Sequence, residues 1–162
     1  MKIRLTPYGM AEVAVYPAVI IGWIVVFLLL GGGILPWSVS GVVIACLTIV
    51  LIWVLSFFRD PQRKVPDDAG VYLAAADGVV TDVSYPDSLP VPLSGRVLKI
   101  SIFLSIFNVH INRAPCGSVV EGISYRKGKF KNAMDAASSR ENESNTITLT
   151  ETGTGRKIVV VQ

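Results

Sequence analysis

Between Glu12 and Arg59 the chain has no formally charged residue, so 46 consecutive positions, Val13 to Phe58, are uncharged. A helix needs about 20 apolar residues to cross a bilayer, so the stretch holds two spans and a tight turn. Gly31-Gly32-Gly33 and Pro36 lie near its middle, where a turn is required. The pattern predicts a two-helix membrane hairpin, with spans over Val13–Leu30 and Trp37–Phe58. Tryptophans and Phe57-Phe58 lie near the span ends, where amphipathic rings prefer the interface. A secretory signal has an apolar core of about 7–15 residues, which this run exceeds. Val43-Ile44-Ala45-Cys46 loosely resembles a lipoprotein cleavage box, but it sits deep in the second apolar run and Cys46 reads as a buried cysteine. A monotopic hairpin dipping into one leaflet is the alternative geometry.

The flanks orient the hairpin. Lys2 and Arg4 precede it, Arg59, Arg63 and Lys64 follow it, and the connecting turn is uncharged. Cationic flanks stay cytoplasmic, so both ends, and everything after residue 58, are expected on the cytoplasmic side of the cell membrane. The net charge of +3 is modest. A basic cluster beside a span suits anionic membrane lipid, and no motif points to nucleic acid. Cys46 and Cys116 form neither a disulfide framework nor a zinc spacing.

The expected division is an anchor over 1–58 and a β-rich cytoplasmic domain over 59–162. The steps Asp60-Pro61 and Val65-Pro66 predict an extended exit from the membrane, because the residue before proline avoids the helical region. Leu98, Ile100, Ile102 and Leu104 share one face and Lys99 and Ser101 fall on the other, the period of a half-buried strand over Arg96–Leu104. Tyr72–Ala75 and Val79–Val83 flank Asp77-Gly78, which reads as a hairpin. Val119, Ile123 and Tyr125 predict a strand ended by Gly128. Thr146–Thr150 and Ile158–Val161 flank a turn at Gly153 and Gly155. Asp135–Ser144 reads as a short helix or a loop. The apolar strand Ile158-Val159-Val160-Val161 comes last in the sequence with nothing after it to cover it, which predicts a further C-terminal segment.

Few residues here can carry chemistry. The one histidine, His110, rules out a histidine-cluster metal site. It remains a candidate general acid or base, because imidazole exchanges protons near neutral pH; the alternative is a histidine bonded to backbone. Asp77 alone is equally a turn-former, since Asp-Gly is a common turn pair. Cys116, six residues after His110, could pair with it as a nucleophile, but between Pro115 and Gly117 it reads as a small loop residue. Asn132, Asn142 and Glu143 line either a polar pocket or solvent. Gly153-Thr154-Gly155 lacks the following helix that a phosphate loop needs.

Five blocks in order give the chain its resemblance: Phe57-Phe58-Arg59-Asp60-Pro61; Ala76-Asp77-Gly78-Val79-Val80; Ile102-Phe103-Leu104-Ser105; Asn108-Val109-His110-Ile111-Asn112-Arg113-Ala114-Pro115; and Gly128-Lys129-Phe130-Lys131-Asn132-Ala133 with Asn142-Glu143. Each is weak alone. Together they resemble the short, membrane-anchored phosphatidylserine decarboxylases over almost all of the soluble part. The resemblance implies a mainly antiparallel β domain, often dimeric, that converts phosphatidylserine to phosphatidylethanolamine and carbon dioxide. Its implied cofactor is a pyruvoyl group made from an internal serine by autocatalytic cleavage of a proenzyme. A Schiff base between that group and the substrate amine then serves as electron sink, the part pyridoxal phosphate plays elsewhere.

By that resemblance His110 handles the proton on the decarboxylated carbon, and Asp77 assists self-cleavage. Asn112, Arg113, Asn142 and Glu143 are the expected substrate-binding residues, and no metal is expected. Arg113 stands where some members have a second histidine. That leaves the relay built from Asp77 and His110 or arranged differently; a guanidinium there suits the lipid phosphate or the serine carboxylate. The family continues past the Val-Val-Gln strand into a Gly-Ser cleavage site. Here Ser94-Gly95 has the reverse order, and Gly117-Ser118 belongs to the histidine block. The chain is therefore expected to lack the pyruvoyl-forming serine, to be inactive alone, and to need a C-terminal pyruvoyl-bearing α chain. Two alternatives stay open: a non-catalytic headgroup-binding membrane protein, and a decarboxylase of an ether-linked serine lipid.

Overall fold

The computed structural model describes residues 3–66, 68, 70–86, 93, 95–132 and 138–162. Lys2 of the N-terminal flank, Ser94, Ala133 of the last block, and Asp135 at the start of the polar segment lie outside the described residues. The chain divides into two compact units, Met1–Pro66 with Leu104–Ile111, and Asp67–Phe103 with Asn112–Gln162.

The first unit is built on two apolar helices. Strand β1 (Ile3–Leu5) leads into α1 (Met10–Leu30), and α2 (Trp37–Phe57) runs into β2 (Arg59–Pro61). Both helices are 21 residues long and apolar enough to cross a membrane. At 1.5 Å per residue, a helix of that length matches a hydrocarbon core of about 30 Å. Helix α1 starts three residues before the charge-free run, because Glu12 sits in its first turn, where a carboxylate meets the positive end of the helix dipole. Antiparallel pairing of β1 with β2, in register Ile3↔Pro61 to Leu5↔Arg59, joins the outer ends of the two helices. At the other end the turn needs glycine: Gly32 has φ +76°, and a Cβ on Gly31 or Gly32 would run into the Trp37 indole. Helix α1 has no buried residue, and only Ser40 and Val54 of α2 are buried. Cys46 is not covered by other parts of the chain.

The second unit is antiparallel β-structure. Strand β3 (Val79–Ser84) pairs with β4 (Lys99–Phe103), with an irregularity between Val80 and Asp82. Among the described residues, strand β5 (Ser118–Arg126), the one-turn helix α3 (Ser138–Glu141), β6 (Ser144–Glu151) and β7 (Lys157–Val161) follow, and β6 is the middle strand of β5-β6-β7. The β6–β7 turn has φ +109° at Gly153 and +72° at Gly155, conformations that only glycine enters at no cost. Asn145 and Gln162 exchange two further backbone hydrogen bonds of 2.8 Å, so the pairing runs to the last residue.

One expected hairpin does not form. Tyr72–Ala75 is not a strand, and β3 takes β4 as its partner. Gly78 packs against that partner: a Cβ there would strike the Phe103 carbonyl oxygen. Tyr72–Ala75 bonds elsewhere, Leu73 N to Pro115 O at 2.8 Å, with Ala75 O accepting from Arg113 N at 2.9 Å. An Asp-Gly pair entering a strand has the same local sequence as one inside a hairpin, and long-range pairing decided between them.

Candidate active site

His110 lies in the first unit, on the loop Leu104–Ile111. A tight turn shapes that loop. Asn108 N donates to Ser105 O, and Ser105 N to Asn108 Oδ1, both at 2.8 Å. Val109, one of the few buried apolar side chains, roots the loop, while the His110 ring is half-buried. Its Nδ1 lies 3.0 Å from Asn108 O. A carbonyl only accepts, so Nδ1 carries a proton in this bond and Nε2 is the ring nitrogen left for proton exchange.

The end of α2 holds this loop. The Phe57 ring stacks on His110 with centroids 4.1 Å apart and planes 24° from parallel. Phe58 meets Phe57 edge-on at 5.3 Å, and Tyr16 lies 6.4 Å from Phe58. The Arg59 guanidinium reaches in two directions. Nη1 donates to Ser56 O and Ser56 Oγ, both at 2.6 Å, capping the helix end; Nη2 donates to Phe107 O at 2.8 Å. A cation on terminal carbonyls is also favoured by the helix dipole. Sequence reasoning took Arg59 for an orienting flank charge and Phe57 for an interface ring. The signal for more was their shared block, Phe57 to Pro61, but only folding joins that block to residues 48 positions further on.

Asp77, Asn112 and Arg113 lie in the second unit. Asp77 and Arg113 are half-buried and Asn112 is exposed. The Arg113 N to Ala75 O bond brings the Asp77 and Arg113 segments side by side. Cys116 follows them. Burial, and then the Glu151 carboxylate, push its thiol above the ordinary value, so it is a protonated, weak nucleophile. Gly117 O accepts from both Thr152 N and Thr152 Oγ1 at 2.9 Å, and Ser118 Oγ donates to Cys116 O at 3.2 Å.

Asn142 and Glu143 are engaged within the same unit. Asn142 Oδ1 accepts from Lys131 N at 2.7 Å, and its Nδ2 donates to Lys131 O at 2.8 Å, the two bonds a neighbouring strand would make. Glu141 pairs with Lys129 at 2.7 Å and Lys131 at 3.0 Å, and these two ammonium groups hold its carboxyl below the ordinary range. Tyr125 donates its hydroxyl to Glu143 at 2.7 Å, and this bond to a carboxylate raises the phenol's pKa. Gly128 lies tight beneath the clasp, where a Cβ would land on the backbone of Asn142 and Glu143.

The described residues thus comprise two helices long and apolar enough to cross a membrane, a loop fastened to the end of one of them that carries the candidate acid-base imidazole, and antiparallel β-structure. Residues 50–162 match the family described as phosphatidylserine decarboxylase, to which the chain belongs. It is 36% identical over 171 residues to a phosphatidylserine decarboxylase proenzyme of Ruegeria pomeroyi, an alignment covering 100% of this chain and 71% of the relative. Proenzymes of the same description from Geotalea uraniireducens and Wolbachia pipientis wMel are 42% and 43% identical, over 91% and 65% of this chain and 65% and 47% of their own lengths. The chain thus spans about half to seven tenths of these relatives. No solved structure matches it.

Proposed function

We propose that the protein translated from the whole gene decarboxylates phosphatidylserine to phosphatidylethanolamine at the membrane surface, using a self-derived pyruvoyl group. The observation that carries this reading is His110. It is the one imidazole of this sequence, and the contact of Nδ1 with Asn108 O leaves Nε2 for proton exchange. A pyruvoyl ketone, carried on a C-terminal α chain, would supply the electrophilic carbonyl that takes up the substrate amine and accepts the electron pair left by carbon dioxide. The residues present fit such a group in donor type, because an imidazole whose Nδ1 is held by a carbonyl can take up a proton at Nε2 and deliver it to a carbon centre. His110 holds and returns that proton. Asp77, at the entry to β3, assists formation of the group from its precursor.

Arg113 and Asn112 meet the phosphate and carboxylate of the headgroup. Asn142 and Glu143 are the further candidate headgroup contacts. Helices α1 and α2 span the bilayer as a hairpin, with both ends and the rest of the chain on the cytoplasmic side. Functionally, residues 1–58 are the anchor and 59–162 the decarboxylase-like domain, and the assembly is a homodimer. This placement keeps the substrate's acyl chains in lipid while its headgroup reaches the reactive groups.

Two variants of the full-length protein test the roles separately. Asp77→Ala should leave an uncleaved precursor on a denaturing gel. His110→Ala should be cleaved normally, yet lose at least about a hundredfold in turnover, the usual range for an acid-base group. Normal processing of the first, or full activity of the second, rejects the corresponding role.

A further inference from the structure

The loop that carries His110 has a tip whose character its fold does not explain. Ile106 and Phe107 are 56% and 69% exposed, while Val109, two residues on, is buried. A loop designed for water would present polar residues at its tip and tuck the phenylalanine inward. The tip is tied to one place: the Phe107 carbonyl accepts from Arg59 Nη2 at 2.8 Å, and Arg59 caps the last turn of α2 through Ser56. Helix α2 has the length of a hydrocarbon core, so its end marks the hydrocarbon boundary. Around that end lie Tyr16, Trp53, Phe57 and Phe58 in ring contact, the residue types that favour the interfacial layer.

We propose that the Ile106–Phe107 tip is a third membrane contact: it lies in the interfacial layer of the bilayer that α1 and α2 span, held there by Arg59, and so keeps His110 at headgroup depth. The inference rests on the spanning reading of the two helices. Arg59 and Phe57 are then positioning residues, acting through the loop and the imidazole. The partner is the lipid bilayer, because the tip continues the apolar surface of the anchor within one compact unit.

Spin labels test this without turnover. Cysteines are introduced as Phe107→Cys, Ile106→Cys, Ile49→Cys in mid-α2, and Lys64→Cys as an aqueous reference. Each is placed singly in the full-length protein carrying Cys46→Ala and Cys116→Ala, in nanodiscs of phosphatidylcholine and phosphatidylglycerol. Power saturation compares collisions with lipid-soluble oxygen and with a water-soluble nickel chelate. Oxygen should dominate at 49, 106 and 107, and nickel at 64. Adding Arg59→Gln should move 106 and 107 toward the nickel pattern and leave 49 unchanged. Labels at 106 and 107 as nickel-accessible as 64, with 49 still in lipid, overturn the inference alone. So does an Arg59→Gln background that changes neither label. A nickel pattern at 49 overturns the spanning reading and the inference with it.

Discussion

Replacing Asn142 with alanine separates a loop clasp from a substrate contact. The side chain satisfies both backbone groups of Lys131, at 2.7 and 2.8 Å, across 11 residues of sequence. A typical intramolecular hydrogen bond contributes about 0.5–1.5 kcal/mol net, so losing two costs about 1–3 kcal/mol. Both residues are half-buried, so water can replace part of what is lost, and about 2 kcal/mol is the working figure. At about 1.4 kcal/mol per decade, that is roughly a 25-fold shift in a local opening equilibrium. The assay is hydrogen exchange by mass spectrometry on the detergent-solubilised full-length protein, resolved to peptides holding the Lys131 amide. Asn142→Ala should speed exchange there by about that factor, well beyond any change in β6 or β7. An unchanged Lys131 amide, with a raised KM for phosphatidylserine, would refute the clasp and make Asn142 a headgroup ligand.

Other outcomes follow from the same region and its charges. Gly128→Ala should destabilise by about 1–3 kcal/mol, the usual cost of forcing atoms into a filled site, because its Cβ would meet backbone that cannot swing away; a melting temperature equal to wild type counts against the packing described. The depressed Glu141 carboxyl contributes stability that is present above the ordinary glutamate pKa and lost as pH falls through its lower folded value. A thermal-melt series on the acid side of neutrality should therefore fall less steeply for Glu141→Gln than for wild type, and identical slopes would contradict the pairing with Lys129 and Lys131. High salt should shrink the wild-type advantage, since exposed pairs are screened.

The parts of the fold legible in sequence were those with a local cause. The charge-free run set three of the four helix ends to within one residue, and only α1 begins earlier, at Met10, because the run ends at Glu12 while the helix does not. The β6–β7 hairpin was equally plain from its two strands and the glycines between them. The Asp77-Gly78 turn was misassigned as a hairpin because its partner strand lies some 20 residues on, with no local signal. The His110 block stood out by its residues. What holds it did not, since Arg59 and Phe57 reach it across the fold. The Asn142 clasp was not legible either, because a free amide and one bonded to backbone look the same in sequence. Only the position of Lys131 tells them apart.

The central claim is that His110, Asp77 and Arg113 belong to a phosphatidylserine decarboxylase acting at the bilayer surface. Its most direct test is carbon dioxide released from carboxyl-labelled phosphatidylserine in nanodiscs by the protein translated from the whole gene. The account predicts labelled carbon dioxide with equimolar phosphatidylethanolamine, both lost in His110→Ala. Correctly cleaved protein that releases none, or a His110→Ala variant that matches wild type, would contradict it.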